Sequence, residues 1–155
     1  MNVSVQFPLV QKHSISMIGL IVRDGLKYFN LCIVKIKISN MRTTDVKAIK
    51  YLESNPIVAK FIEKLDSERK TYYEKAGMPT QYKPVTVEVG NKFIRIWHGT
   101  SCWGFISRVD DVLKGEPIKK GDLLKAATWK APAKHSRGNI MDGTARYGVY
   151  GPEYL

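Results

Sequence analysis

The chain has 155 residues, enough for one domain or for one domain with an appendage. It carries 25 Lys and Arg against 14 Asp and Glu, a net charge of +11, with 44% apolar residues and 10% aromatic residues. This composition excludes a globally disordered or collagen-like chain and leaves enough apolar surface for a real core. The positive excess favours nucleic acid, an acidic protein surface or an anionic membrane as partner, and charge alone does not choose among them.

Two cysteines, Cys32 and Cys102, lie far apart with no Cys-x-x-Cys pair, so neither a metal ribbon nor a disulfide framework is expected. The histidines His13, His98 and His135 are scattered without helical metal-ligand spacing, and no metal or cofactor is expected. The longest apolar run, 15–22, falls well short of the roughly 18 to 20 residues of a spanning helix. No membrane partner is expected. The N-terminus lacks the basic region and small-residue cleavage site of a secretory signal.

Residues 1–40 differ from the rest. They hold five Lys/Arg and one acid, Asp24, and contribute +4 of the charge; the remaining chain contributes +7. The break falls before Met41-Arg42-Thr43-Thr44-Asp45, which resembles a protein start leading into a capped helix. Residues 1–40 therefore read either as an extension from a misplaced start or as a β-hairpin. Val34, Ile36 and Ile38 alternate with Lys35 and Lys37, as a half-buried strand requires.

Over 41–78 the pattern is helical. Val46, Ile49, Tyr51 and Leu52 predict a short helix ending at Ser54-Asn55. Asn55 as N-cap and Pro56 at the first helical position predict a second start. Ile57, Val58, Phe61, Ile62, Leu65 and Tyr72 then keep helical spacing up to Gly77, a suitable stop. The polar face carries Lys60, Lys64 and Lys70, with Asp66 and Lys70 at pairing distance.

Over 84–142 the period switches to two. Residues 85–89 and 93–97 predict a hairpin across Gly90-Asn91-Lys92, and 102–106 predict a third strand. The stretch 108–121 reads as a long polar connection with one helical turn near 110–113. Residues 123–129 supply a fourth strand after the turn Lys120-Gly121-Asp122, and 143–155 read as a Gly- and Tyr-rich tail. The expected class is α+β: a helical N-terminal portion, then a small antiparallel β-sheet with a loop-rich C-terminal tail.

The run from Gly121-Asp122-Leu123-Leu124-Lys125-Ala126-Ala127-Thr128-Trp129-Lys130-Ala131-Pro132-Ala133-Lys134 through Arg137-Gly138-Asn139-Ile140 to Asp142 is distinctive. It resembles a motif of small uncharacterised proteins of tailed bacteriophages. Phe93-Ile94-Arg95-Ile96 and Trp103-Gly104-Phe105-Ile106 look like the strands that precede it there. The likeness covers about residues 85–142, and departs where 108–121 is longer than a tight connection and where Ser136 replaces the usual Ala. It implies a viral origin and a small accessory protein in the cytoplasm of the infected bacterial host, or associated with the virion. It implies no catalytic residue.

The densest candidate site is Lys119, Lys120, Lys125, Trp129, Lys130, Lys134, His135 and Arg137. Residues 119–137 hold six Lys/Arg and one acid. Such cations neutralise phosphates and release counterions, and Trp129, Trp97 or Trp103 would stack on unpaired bases. Pro132 would hold Lys130 and Lys134 in an extended loop. Trp129 also ends an apolar run, which favours a core position over stacking, while Arg137-Gly138-Asn139 has the form of an anion-binding turn.

Catalysis has less support. His98 lies near Ser101 and Cys102, and Asp110-Asp111 offers two carboxylates. A histidine past a strand end and a cysteine in an apolar strand both have ordinary structural roles. No nucleophile elbow, phosphate loop or paired-carboxylate motif is present. Three readings follow: a nucleic-acid-binding accessory protein with DNA or RNA as partner; a protein-interaction module, as virion component or modulator of an acidic host protein; and an enzyme of unknown type.

Overall fold

The computed structural model describes residues 45–155. The extension-or-hairpin reading of 1–40, with its alternating segment 34–38, lies outside the described residues.

Asp45 starts the first helix, α1 (Val46–Ser54), by accepting the Lys47 backbone N–H at 2.9 Å on its carboxylate. Asn55 separates it from α2 (Pro56–Lys75), which opens on Pro56. The Asn55 side chain makes no cap bond to α2; its Nδ2 donates to the Tyr51 carbonyl at 2.8 Å and closes the end of α1 instead. α2 ends in a Schellman pattern, with Met78 N–H donating to Tyr73 O and Gly77 N–H to Glu74 O. Lys70 faces Glu74 at 4.0 Å rather than Asp66. Asp66 is drawn inward, where Oδ1 accepts from Tyr82 Oη at 2.7 Å and from the Val85 N–H at 2.8 Å, fixing where the sheet begins.

Five antiparallel strands form the sheet in the order β1-β2-β3-β6-β7: β1 (Val85–Val89), β2 (Phe93–His98), β3 (Ser101–Ser107), β6 (Asp122–Ala126) and β7 (Pro132–Asn139). The hairpin β4 (Asp111–Leu113) and β5 (Glu116–Ile118) is inserted between β3 and β6. Alternation sends Val85, Val87, Val89, Ile94, Ile96, Ile106 and Leu123 to one face, against Leu52 of α1 and Val58, Ile62 and Leu65 of α2. Each such side chain contributes about 1.5–3 kcal/mol when fully buried, so this layer of helices on sheet is the main source of stability. A smaller cluster of Phe105, Leu124 and Ile118, joined by Phe93, Leu113 and Ala126, lies apart from the helical core. The class is α+β.

Three sequence expectations change. The stretch 108–121 carries no helical turn; it is the β4–β5 hairpin, with Lys114 at φ 52° and Gly115 at φ 87° supplying the two positive values of a type I′ turn. The fourth strand ends at Ala126, which leaves Trp129 outside it. Residues 132–139 are strand β7 instead of an extended loop, with Pro132 at the strand's first residue, where a missing N–H is tolerated.

The tail is bound to the domain. Arg146 N–H donates to Arg137 O at 2.7 Å, laying the chain along β7. The short hairpin β8 (Tyr147–Gly148) and β9 (Gly151–Pro152) follows. Tyr147 sets its ring edge-on to Phe61 of α2 at 5.2 Å and to Trp103 of β3 at 5.8 Å.

Candidate nucleic-acid interface

The fold divides the basic residues of 119–137 instead of gathering them. Lys119 and Lys120 are exposed on the turn before β6. Trp129 and Lys130 are exposed on the turn after it, at the strand's other end. Lys134 and His135 stand on β7 beside Glu116 of β5, with nitrogen–oxygen distances of 3.5 and 3.9 Å. Lys125 turns to the tail, where Nζ donates to Pro152 O at 3.0 Å and lies 3.7 Å from the Tyr154 ring centre. Arg137 is buried; its Nε donates to Glu153 O at 2.6 Å and Nη1 to His135 O at 2.8 Å.

The distinctive motif is therefore in large part architectural. Asp122 is buried and accepts the Lys119 N–H at 2.9 Å and Asn139 Nδ2 at 2.9 Å, closing β6 onto β7. Asn139 Oδ1 in turn accepts the Met141 N–H at 2.8 Å. Residues 137–139 end strand β7 instead of forming an anion-binding turn, and the Gly138 and Asn139 N–H groups donate to Ser136 Oγ at 3.2 Å and Thr144 Oγ1 at 2.9 Å.

Trp129 is the exception. The residue is 59% exposed, which sets aside the core alternative, and Lys130 Nζ lies 4.5 Å from the ring centre. Lys130 also lines a cleft of about 120 Å³ together with Lys92, Phe93, Arg95, Glu88 and Phe105. The turn after β6 and the strand β2 thus share one concavity. Arg95 lies between two rings, its guanidinium carbon 5.5 Å from Trp97 and 5.7 Å from Phe105. Glu88 Oε2 accepts from Arg95 Nη1 at 2.7 Å and from Trp97 Nε1 at 3.3 Å. Lys92 reaches Asp111 of the inserted hairpin at 2.6 Å.

Sequence reasoning missed Lys92, Phe93 and Arg95 as members of this concavity. The signal was present in the period-two spacing of Phe93, Arg95 and Trp97, which places all three on one side of β2.

His98 and Cys102 do not form a pair. His98 belongs to the helical side, its ring 6.0 Å from that of Tyr73, and burial, then the Arg69 charge, pushes its pKa below the ordinary value. Cys102 packs with the smaller cluster around Phe105, and burial pushes its thiol pKa up. Asp110 accepts the Lys120 N–H at 2.7 Å, while Asp111 is held by Lys92. Among the described residues, no group of three or more His, Cys, Asp or Glu side chains is placed to hold a metal ion. No helix among them is long and apolar enough to cross a membrane.

Fold and site together define an α+β protein with a five-stranded antiparallel sheet, helices on one face and an aromatic, basic concavity beside β2. The chain belongs to a family of unknown function, DUF7717, which matches residues 33–151. No curated protein and no solved structure matches it.

Proposed function

We propose that the protein is a small basic accessory protein that binds nucleic acid through the turn after β6 and the cations around it. The observation that carries this reading is Trp129, exposed on a turn with Lys130 over its ring. An exposed indole beside a cation presents a stacking surface and a phosphate partner together. Lys119, Lys120 and Lys134 stay exposed and add to the electrostatic attraction; Lys125 and Arg137 serve the tail. The resemblance of 121–142 to proteins of tailed bacteriophages supports a viral origin and action in the cytoplasm of the infected host.

The test is a salt-titrated binding assay with DNA and RNA. Binding should weaken steeply with salt, and Lys130→Ala should lower both affinity and the slope against log salt. Absence of binding at low salt removes the reading.

A second reading is a protein-interaction module. Lys92, Arg95 and Lys134 each already face a carboxylate, Asp111, Glu88 and Glu116. Such a mixed-charge rim suits a protein partner with an acidic face, either a virion component or a host protein. Co-purification of a stoichiometric partner, lost on charge reversal at Lys130 and Lys134, would favour it.

A further inference from the structure

We infer that the side of β2 carrying Phe93, Arg95 and Trp97 extends this interface into a platform for single-stranded nucleic acid, with the Glu88 carboxylate occupying the place a backbone phosphate takes. The inference rests on the nucleic-acid reading above and specifies its ligand.

Ile94 and Ile96 of β2 go to the helical core, and period two leaves Phe93, Arg95 and Trp97 on the other side, each half-buried. An aromatic, a cation and an aromatic thus follow one another at alternate positions. Phe93 and Arg95 line the same cleft as Lys92 and Lys130, and Lys130 leads directly to the exposed Trp129 ring. Cations interleaved with rings match a chain in which phosphates alternate with bases.

The exposed and half-buried rings favour an unpaired strand, whose base faces are free to stack. In a duplex both faces of each base are covered by neighbours, so Phe93, Trp97 and Trp129 would meet only edges and backbone. An acidic peptide would satisfy the cations and leave the rings unused.

Glu88 fits the same scheme. Its Oε2 bridges Arg95 Nη1 and Trp97 Nε1, two donors directed at one anionic oxygen, and the residue is itself exposed. A phosphate oxygen offers the same acceptor chemistry. Glu88 therefore competes with the strand, and removing its charge should help binding.

The full-length chain is titrated by fluorescence anisotropy with labelled oligothymidine, with a duplex of equal length, and with polyglutamate as competitor. The single strand should bind at least about tenfold more tightly than the duplex. Phe93→Ala and Trp97→Ala should each weaken single-strand binding by about fivefold or more, in line with the loss of one stacked base. Glu88→Gln, at an exposed position that preserves folding, should tighten it. The platform is overturned if the duplex binds equally well, or if Glu88→Gln, Phe93→Ala and Trp97→Ala change nothing while Lys130→Ala still weakens binding; the nucleic-acid reading survives that result. It is also overturned if polyglutamate displaces the strand at matched charge concentration, which favours the protein-partner reading. Failure to bind either nucleic acid at low salt overturns both proposals.

Discussion

Arg69 Nη1 donates to the backbone carbonyl of Val149, 80 residues further along the chain. Trp103 Nε1 donates to the same oxygen at 3.2 Å, so one carbonyl joins α2, β3 and the C-terminal hairpin. The guanidinium is fully buried, its Nε and Nη2 have no hydrogen-bond partner in the described residues, and burial lowers its pKa. A buried charge whose one hydrogen-bond acceptor is a carbonyl is poorly compensated. Arg69→Met, which keeps the volume and removes the charge, should therefore stay within about 1 kcal/mol of the parent. Arg69→Ala, which leaves a cavity, should lose about 2–4 kcal/mol. Urea unfolding of both variants checks this; equal losses would show that the tie to Val149 outweighs the cost of burying the charge.

Gly138 lies at φ 91°, and a Cβ there would come within 2.1 Å of the Thr144 carbonyl oxygen. Gly143 has a similar φ of 79° but nothing within 4 Å of that position. The pair separates backbone strain from close approach. Gly143→Ala should cost about 1–2 kcal/mol, the strain alone. Gly138→Ala must also push the 144–146 segment off β7 and should cost at least about 3 kcal/mol. Thermal unfolding of the two variants makes the comparison, and equal shifts would mean that the tail yields freely.

The same tail explains what the sequence left hidden. Residues 85–106 show their strands because alternate positions face a helical core, and α2 shows its 3.6-residue period for the same reason. The arms of β4 and β5 are three residues each, too short to carry a period. The segment Pro132-Ala133-Lys134-His135-Ser136-Arg137-Gly138-Asn139 is polar and looks like loop, yet it pairs with β6 on one side and takes the 145–146 backbone on the other. Those contacts are long-range and leave no local pattern. At the site, Lys130 was legible as exposed basic chemistry, whereas Trp129, at the end of an apolar run, read first as core, and its exposure emerges only from the structure. Arg137 and Lys125 looked like phosphate ligands because composition cannot reveal that tail carbonyls receive their donors.

His98 gives stability a pH dependence. Its neutral form is favoured in the folded protein, first by burial and then by the Arg69 charge, with Asp66 opposing weakly. The Tyr73 ring stands over it. In the unfolded chain the imidazole returns to the ordinary value of 6.5. Below that pH the unfolded state binds a proton that the folded state resists, so this contribution is complete above about 6.5 and declines as pH falls through the lower folded value. Asp111 and Asp142, held below the ordinary 3.8 by Lys92 and Thr144 respectively, withdraw theirs only in stronger acid. His98→Gln should flatten the stability profile over the range just below pH 6.5 while leaving the acid limb unchanged. Chemical denaturation across that range checks it, and an unchanged slope would exclude His98 as its source.

Trp129 and Trp103 should respond in opposite ways to the same substitution. Trp103 is 4% exposed, packs against Phe61 and Tyr147, and donates to Val149. Trp103→Ala should cost about 3–5 kcal/mol and loosen the C-terminal hairpin, because cavity formation and the lost hydrogen bond act together. Trp129, 59% exposed on its turn, contributes little to the fold, and Trp129→Ala should change stability by no more than about 0.5 kcal/mol. If stacking is its role, the same substitution should weaken single-strand binding about fivefold or more. Parallel unfolding and binding titrations on the two variants separate the effects. A Trp129→Ala variant that unfolds early would return the residue to a structural role and remove the observation on which the binding reading rests.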